Sequence, residues 1–301
     1  MTLVIAGHDI EKDCSQLNFK GKNYGLFVAA DSTITDGYQT LLTGFKKIYS
    51  VPIKVYEPYF VGEYFRDYLS PFLETSCFIA FAGSTVIAQH VLNSITNHLA
   101  LLRYGYEGGS YTSPGKYQIL MDCEKNSLRD SRNTWGDDMF LKSDLEGLLS
   151  GDLISRVILH AIEGALASAK RHKIDERGWK SLLTQYVVGA YCEIEKRNRL
   201  FTFIPKFEKD IHEVIINIVV DVNEIQPGNI AVLGMSEFGG RARQDYEIAF
   251  ETNHDVKTAM FSFLNQAIDE VQNNGKKEID YPSVLKAFNQ GKLTELSRKN
   301  K

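Results

Sequence analysis

Gly25-Leu26-Phe27-Val28-Ala29-Ala30-Asp31-Ser32 carries an apolar run, Leu26 to Ala30, cut off abruptly by an acid and a small polar residue. A run too short for a helix and closed by polar residues reads as a buried strand that delivers Asp31 to an exposed rim. Thr2-Leu3-Val4-Ile5-Ala6-Gly7 is a second run of the same kind, near the start of the chain. A strand led by threonine puts a hydroxyl and, once Met1 is removed, a free amine on one residue.

Working outward, the chain has 301 residues, 44% of them hydrophobic and 24% charged, which is ample for a large folded core. The net charge of -4, with both signs spread along the sequence, gives a nucleic-acid role no electrostatic support. No run reaches the length of a membrane span, and no basic segment precedes an apolar one at the start, so the expectation is a soluble, cytoplasmic protein. Cys14, Cys77, Cys123 and Cys192 are far apart and read as reduced structural thiols. The histidines are scattered as well, so neither a metal site nor a cofactor is expected.

Residues 2–10 and 24–31 read as strands joined by a polar loop. Thr33-Ile34-Thr35-Asp36-Gly37 has turn chemistry. Residues 47–51 form the next strand and 77–82 its partner, ending at Gly83-Ser84-Thr85. The Tyr- and Phe-rich stretch 53–76 is too long for a plain hairpin connection and reads as an insertion. After Gly83 the period changes: Ile87, Val91, Ile95, Leu99 and Leu102 recur at helical spacing behind a Ser84 or Thr85 cap. Residues 104–150 lose regularity and read as a second insertion or a long mobile loop. A second helix is expected over 153–170, a hairpin over 185–195 and 200–207, further strands over 212–222 and 229–233, and a third helix over 255–271. The charged segment 276–301 reads as peripheral. Grouped rather than alternating elements indicate an α+β fold, two stacked sheets covered by helices, over a single domain 1–301.

Four pieces, in order, carry a resemblance: Thr2 opening the first strand, Ala29-Ala30-Asp31-Ser32 ending the second, Lys46-Lys47-Ile48 opening the third, and Ala80-Phe81-Ala82-Gly83-Ser84-Thr85 before the first helix. Together they resemble the proteasome β-type branch of the N-terminal nucleophile hydrolases, which includes the bacterial heat-shock-locus protease and related bacterial proteasome-like proteins. The likeness covers residues 2–103, extends more weakly to Gly234-Met235-Ser236, and is absent from the two insertions. Each residue alone has an ordinary reading: Asp31 as a turn cap, Lys47 as one solvated lysine among many. Their joint order and spacing carry the resemblance.

The resemblance implies a four-layer αββα sandwich of two antiparallel sheets flanked by helices. It implies threonine-type hydrolysis of peptides or unfolded protein, in a homo-oligomeric ring with a possible unfoldase partner and no cofactor. Thr2 would be the nucleophile, its α-amine the base, Lys47 an electrostatic aid and Asp31 the acid that orients Lys47. Ser236 would support the amine, and the backbone N–H of Ala80 would bind the oxyanion. Ala80 departs from the family, where glycine is usual. The chemistry is coherent, because a threonine hydroxyl needs a base and an amine with a pKa of about 8 is partly neutral at physiological pH. Two alternatives stand beside it: a non-catalytic proteasome-like subunit whose insertions obstruct the cleft, and an amidase for small molecules on the same fold.

Overall fold

The computed structural model describes residues 2–11, 22–36, 39–108, 114–130, 133–171, 176–209, 211 and 215–301. The two opening runs are neighbouring antiparallel strands, β1 (Leu3–Glu11) and β2 (Lys22–Asp31), with Val4 opposite Ala30. Leu3, Ile5, Phe27 and Ala29 face one apolar cluster, and Val4, Ala6, Leu26, Val28 and Ala30 face another. Burial on both faces is why these strands read as unbroken apolar runs instead of alternating ones.

After β2 come two short strands, β3 (Ile34–Asp36) and β4 (Gln39–Leu42), paired with each other where turn chemistry was read. Next is a long hairpin of β5 (Ile48–Val61) and β6 (Tyr64–Ala82). The stretch 53–76 is therefore the paired length of that hairpin, with Val61 opposite Tyr64 across a turn at Gly62-Glu63. Its length does not require a separate insertion.

Helix α1 (Thr85–Leu99) follows, its start capped by the Ser84 hydroxyl, which accepts the Ile87 N–H. Leu102 lies beyond its end and opens β7 (Leu102–Glu107), which pairs with β8 (Lys116–Leu120). Then come two single turns of helix, α2 (Ser127–Asp130) and α3 (Lys142–Leu145). The region 104–150, expected as a second insertion or a long loop, holds packed rings: those of Tyr106, Tyr117, Trp135 and Phe140 meet edge to face, with centroids 5.1 to 6.3 Å apart. Part of that expectation, at 109–113 and 131–132, lies outside the described residues.

The second half runs α4 (Gly151–Lys170), α5 (Glu176–Ser181), β9 (Gln185–Cys192), β10 (Arg197–Lys209), β11 (Ile215–Ile225) and β12 (Ile230–Gly234). A short 3-10 turn at Ser236–Phe238 leads into α6 (Gly239–Glu251) and α7 (Val256–Asn273), and the chain closes with β13 (Ser283–Asn289) and β14 (Lys292–Lys299). Among the described residues, one sheet has the order β12-β1-β2-β13-β14 and a second the order β11-β10-β9-β6-β5-β7-β8.

Each sheet is covered by helices on one face. Leucine and isoleucine from α1 and α4 pack on the larger sheet, α6 and α7 pack on the smaller, and a third cluster holds residues of both sheets, including Val28, Phe78 and Val187. Helix α6 was not read from the sequence. Its buried residues are Gly239, Ala242, Tyr246 and Ala249, too few apolar side chains to mark a helix that opens on two glycines.

Within 276–301, read as peripheral, residues 283–289 are part of the sheet, while 292–299 form its exposed edge. β13 pairs directly with β2, with Ser283 opposite Asp31, and Leu285 and Phe288 are buried. The charges on either side masked a strand whose apolar residues are few but inward.

Leu285→Ala should therefore cost about 2–5 kcal/mol, while Leu296→Ala, on the exposed edge strand β14, should stay within about 0.5 kcal/mol. Urea denaturation of both variants checks this; equally small losses would return the segment to the periphery.

Candidate active site

Thr2 sits just ahead of β1, and backbone on both sides fixes it. Its carbonyl accepts the Met235 N–H at 3.1 Å, while the next amide, Leu3 N–H, donates to Asp31 Oδ1 at 2.9 Å. The end of β12 can close this tightly only because residue 234 is glycine: at φ +91°, a Cβ there would lie 1.8 Å from the Thr2 carbonyl oxygen. Gln185 Oε1 accepts the Gly234 N–H at 3.0 Å and holds the turn in place.

The Asp31 carboxylate lies at the rim end of β2 and is fully shielded from water. Its second oxygen accepts Thr33 N–H at 3.1 Å, a local turn typical of Asp after a strand. The same Oδ2 accepts from Lys47 Nζ at 2.8 Å, and Lys47 Nζ donates to Thr2 Oγ1 at 2.8 Å. Lys47 thus bridges the carboxylate and the hydroxyl from the start of β5, with 3% of its side chain exposed. Burial pulls its ammonium below the ordinary lysine value, and the charge and hydrogen bond of Asp31 oppose that pull. Lys46, its sequence neighbour, is exposed, its ammonium over the Tyr49 ring.

Three of the five residues singled out from the sequence therefore converge: Thr2, Asp31 and Lys47. Ala80 does not. It is fully buried within β6, opposite Ile48 on one side and Val187 on the other, so its backbone belongs to the sheet ladder. Gly83, where β6 has ended, lines a cavity of about 300 Å³ together with Thr2, Lys47, Thr33, Leu41 and Val86. Its φ of +137° and the position of Thr184, which would lie 2.8 Å from an added Cβ, demand glycine. Ser236 is exposed at the start of the 3-10 turn; its neighbours Gly234 and Met235 are the residues that hold Thr2. The glycine immediately after each apolar strand was the signal available for these missed positions. Among the described residues, no group of three metal-ligating side chains lines this cleft.

The architecture has solved counterparts. Anbu from Hyphomicrobium sp. strain MC1 superposes on 99% of this chain and 88% of its own, with a TM-score of 0.50 and 14% sequence identity. The chain has the Anbu fold. A Gly-1 mutant of Anbu from the same organism covers 100% of this chain and 87% of its own at a TM-score of 0.49 and 12% identity. At such identity the likeness to Anbu is one of fold. No protein-family model matches the chain, and no curated protein matches its sequence. No helix among the described residues is long and apolar enough to cross a membrane.

Removing one partner of a dry ion pair strands the other. Lys47→Ala should cost about 3 kcal/mol, the low end because two N–H groups still serve Asp31, and Lys46→Ala should stay within about 0.5 kcal/mol. Chemical denaturation of the two variants makes the comparison, and equal effects would remove Lys47 from the buried pair.

Proposed function

We propose that this chain is a threonine-type amide hydrolase of the N-terminal nucleophile kind, with Thr2 attacking after Met1 is removed. The observation that carries the reading is the buried chain Asp31–Lys47–Thr2, whose two links are both 2.8 Å. In water a threonine hydroxyl is a poor nucleophile. Here an ammonium whose side chain is only 3% exposed donates to its oxygen, and a charge held out of water stabilises developing negative charge more strongly than one in solvent.

In the proposed reaction, the freed α-amine of Thr2 takes the proton from Oγ1 as Oγ1 bonds to the amide carbon. Negative charge moves to the carbonyl oxygen, and the backbone N–H of Gly83 is the donor we assign to it, replacing Ala80. The C–N bond then breaks, the leaving amine takes the proton held by the Thr2 ammonium, and an ester remains on Oγ1. Water, deprotonated by the same amine, hydrolyses the ester and restores the hydroxyl. Asp31 keeps Lys47 oriented and charged against desolvation, in the manner of the third member of a catalytic triad.

The Anbu fold supports a proteasome-like hydrolase, and the finer reading is a four-layer αββα sandwich acting on peptides or unfolded protein in a homo-oligomeric ring. Leu41 and Val86 stand 58% and 77% exposed and border the cavity at Thr2. Their exposure favours substrates with an apolar side chain beside the scissile bond.

The test is mass spectrometry after treatment with a β-lactone that acylates hydroxyl nucleophiles. One adduct is expected, on a peptide beginning at Thr2, and Thr2→Ala should lose it along with about a thousandfold or more of the amide-hydrolysis rate. Retained Met1 with no adduct would favour the non-catalytic subunit; an adduct with turnover of small amides but not of peptides would favour the amidase.

Activity should also fall on the alkaline side in a defined way. Burial sets the Lys47 ammonium below its ordinary value of 10.5, so activity that needs the ammonium falls as pH rises through a midpoint below 10.5. Asp31→Asn removes the charge that opposes the effect of burial, so the alkaline limb of the residual activity should move to lower pH. A limb that stays put or moves upward in the variant would exclude Lys47 as the titrating group.

A further inference from the structure

Two of the histidines and one of the cysteines that look scattered along the chain meet at one place away from the Thr2 cleft. His98 lies in the last turn of α1, His160 on α4, and Cys123 in the turn after β8. We propose that His98, Cys123 and His160 form a binding site for one zinc-class divalent cation, which ties α1, α4 and the segment following β8 together.

The geometry is close to what such an ion requires. One ligand atom from each of the three residues lies within 4.8 Å of the others, and Cys123 Sγ is 3.7 Å from His160 Nε2. In a tetrahedron with metal–nitrogen and metal–sulfur bonds of about 2.05 and 2.3 Å, the nitrogen–sulfur edge is about 3.5 Å. The Cys123–His160 edge is therefore close to that length, and the largest spread, 4.8 Å, closes with a movement of roughly an ångström. The two imidazoles face each other edge to face at 5.1 Å.

Two of the three positions are also held from behind. The turn that presents Cys123 is closed by Glu124, whose N–H donates to the Met121 carbonyl at 3.0 Å and whose carboxylate accepts the Met121 N–H at 2.6 Å. Arg156, one turn before His160 on α4, pairs with the other oxygen of Glu124 at 3.7 Å, so the turn is already anchored to the helix that carries His160. Cys123 and His160 are exposed and His98 is half-buried, so an ion can enter without unfolding the chain.

The ligand chemistry narrows the class of ion. One thiolate with two imidazoles suits zinc, cobalt or copper and not the hard cations magnesium and calcium, which take oxygen ligands. Binding releases the Cys123 thiol proton to solvent and leaves the fourth tetrahedral position to water. Ligands drawn from three separate elements leave no local spacing motif, which is why the sequence pattern pointed to no metal.

The full-length reduced chain, stripped with a chelator, would be titrated with Co²⁺ and then with Zn²⁺. The expected result is about one Co²⁺ per chain, with tetrahedral visible absorption and a thiolate-to-cobalt charge-transfer band that about one equivalent of Zn²⁺ removes, and a Tm that rises with added Zn²⁺. Cys123→Ser should lose the charge-transfer band, and both it and His160→Gln should bind Zn²⁺ at least about tenfold more weakly. Both substitutions are at exposed positions, so the metal-free Tm of each should match the parent, and circular dichroism checks that the fold is intact. Absence of the band in the parent chain overturns the proposal. So does a band that persists in Cys123→Ser, or equal Zn²⁺ affinity in parent and variants.

Discussion

One desolvated carboxylate organises the site. Asp31 accepts three donors: the Leu3 N–H on one oxygen, and the Thr33 N–H and the Lys47 ammonium on the other. A charge taken out of water is expensive unless its lone pairs are occupied, and a half-satisfied buried network is worse than an apolar one. Satisfying this group fixes three things together: where β1 begins, how the chain leaves β2, and where the side chain at the head of β5 must point. The contact between Lys47 and the Thr2 hydroxyl follows from those three constraints. The same carboxylate that makes the site possible is also a condition of the fold around it.

Much of this was legible because burial leaves a mark on sequence. The strands at 2–10 and 24–31 show as apolar runs since both of their faces are covered, and Asp31, an ordinary turn cap on its own, gained weight only beside Thr2 and Lys47. The order Thr2, Asp31, Lys47 then gave the site its polar members. The backbone N–H that we assign to an oxyanion was not legible in the same way. Ala80, Ala82 and Gly83 are all small, and which N–H faces the cleft depends on where pairing with β5 and β9 ends, a property of two other strands. Ser236 was chosen by type, whereas the contact to Thr2 comes from the backbone of its neighbours. β13 escaped because a strand in the middle of a charged segment needs only a few inward residues once β2 offers it a partner.

Glycine does positional work at two points around Thr2. Gly83 and Gly234 both adopt positive φ, and each stands where a methyl group would collide with fixed backbone: Thr184 Cα in the first case and the Thr2 carbonyl in the second. Flexibility is not their contribution here. They let one strand of each sheet end beside the cavity that Thr2 lines, without a side chain in the way.

The long β5–β6 hairpin has a consequence for the spacing of the site. Lys47 immediately precedes its first strand and Gly83 immediately follows its last, so both groups hang from the same open end, at the Ile48–Ala80 pair. The hairpin behaves as a calliper. The gap between its jaws is metered by strand register, and a slip of two residues would shift one jaw by about 7 Å relative to the other. Register irregularities between Val55 and Phe60 confine such slippage to the far end, where the hairpin meets the aromatic cluster. The first run of pairs, Ile48–Ala80 to Val55–Leu73, is what sets the gap at the open end, whatever the tip does.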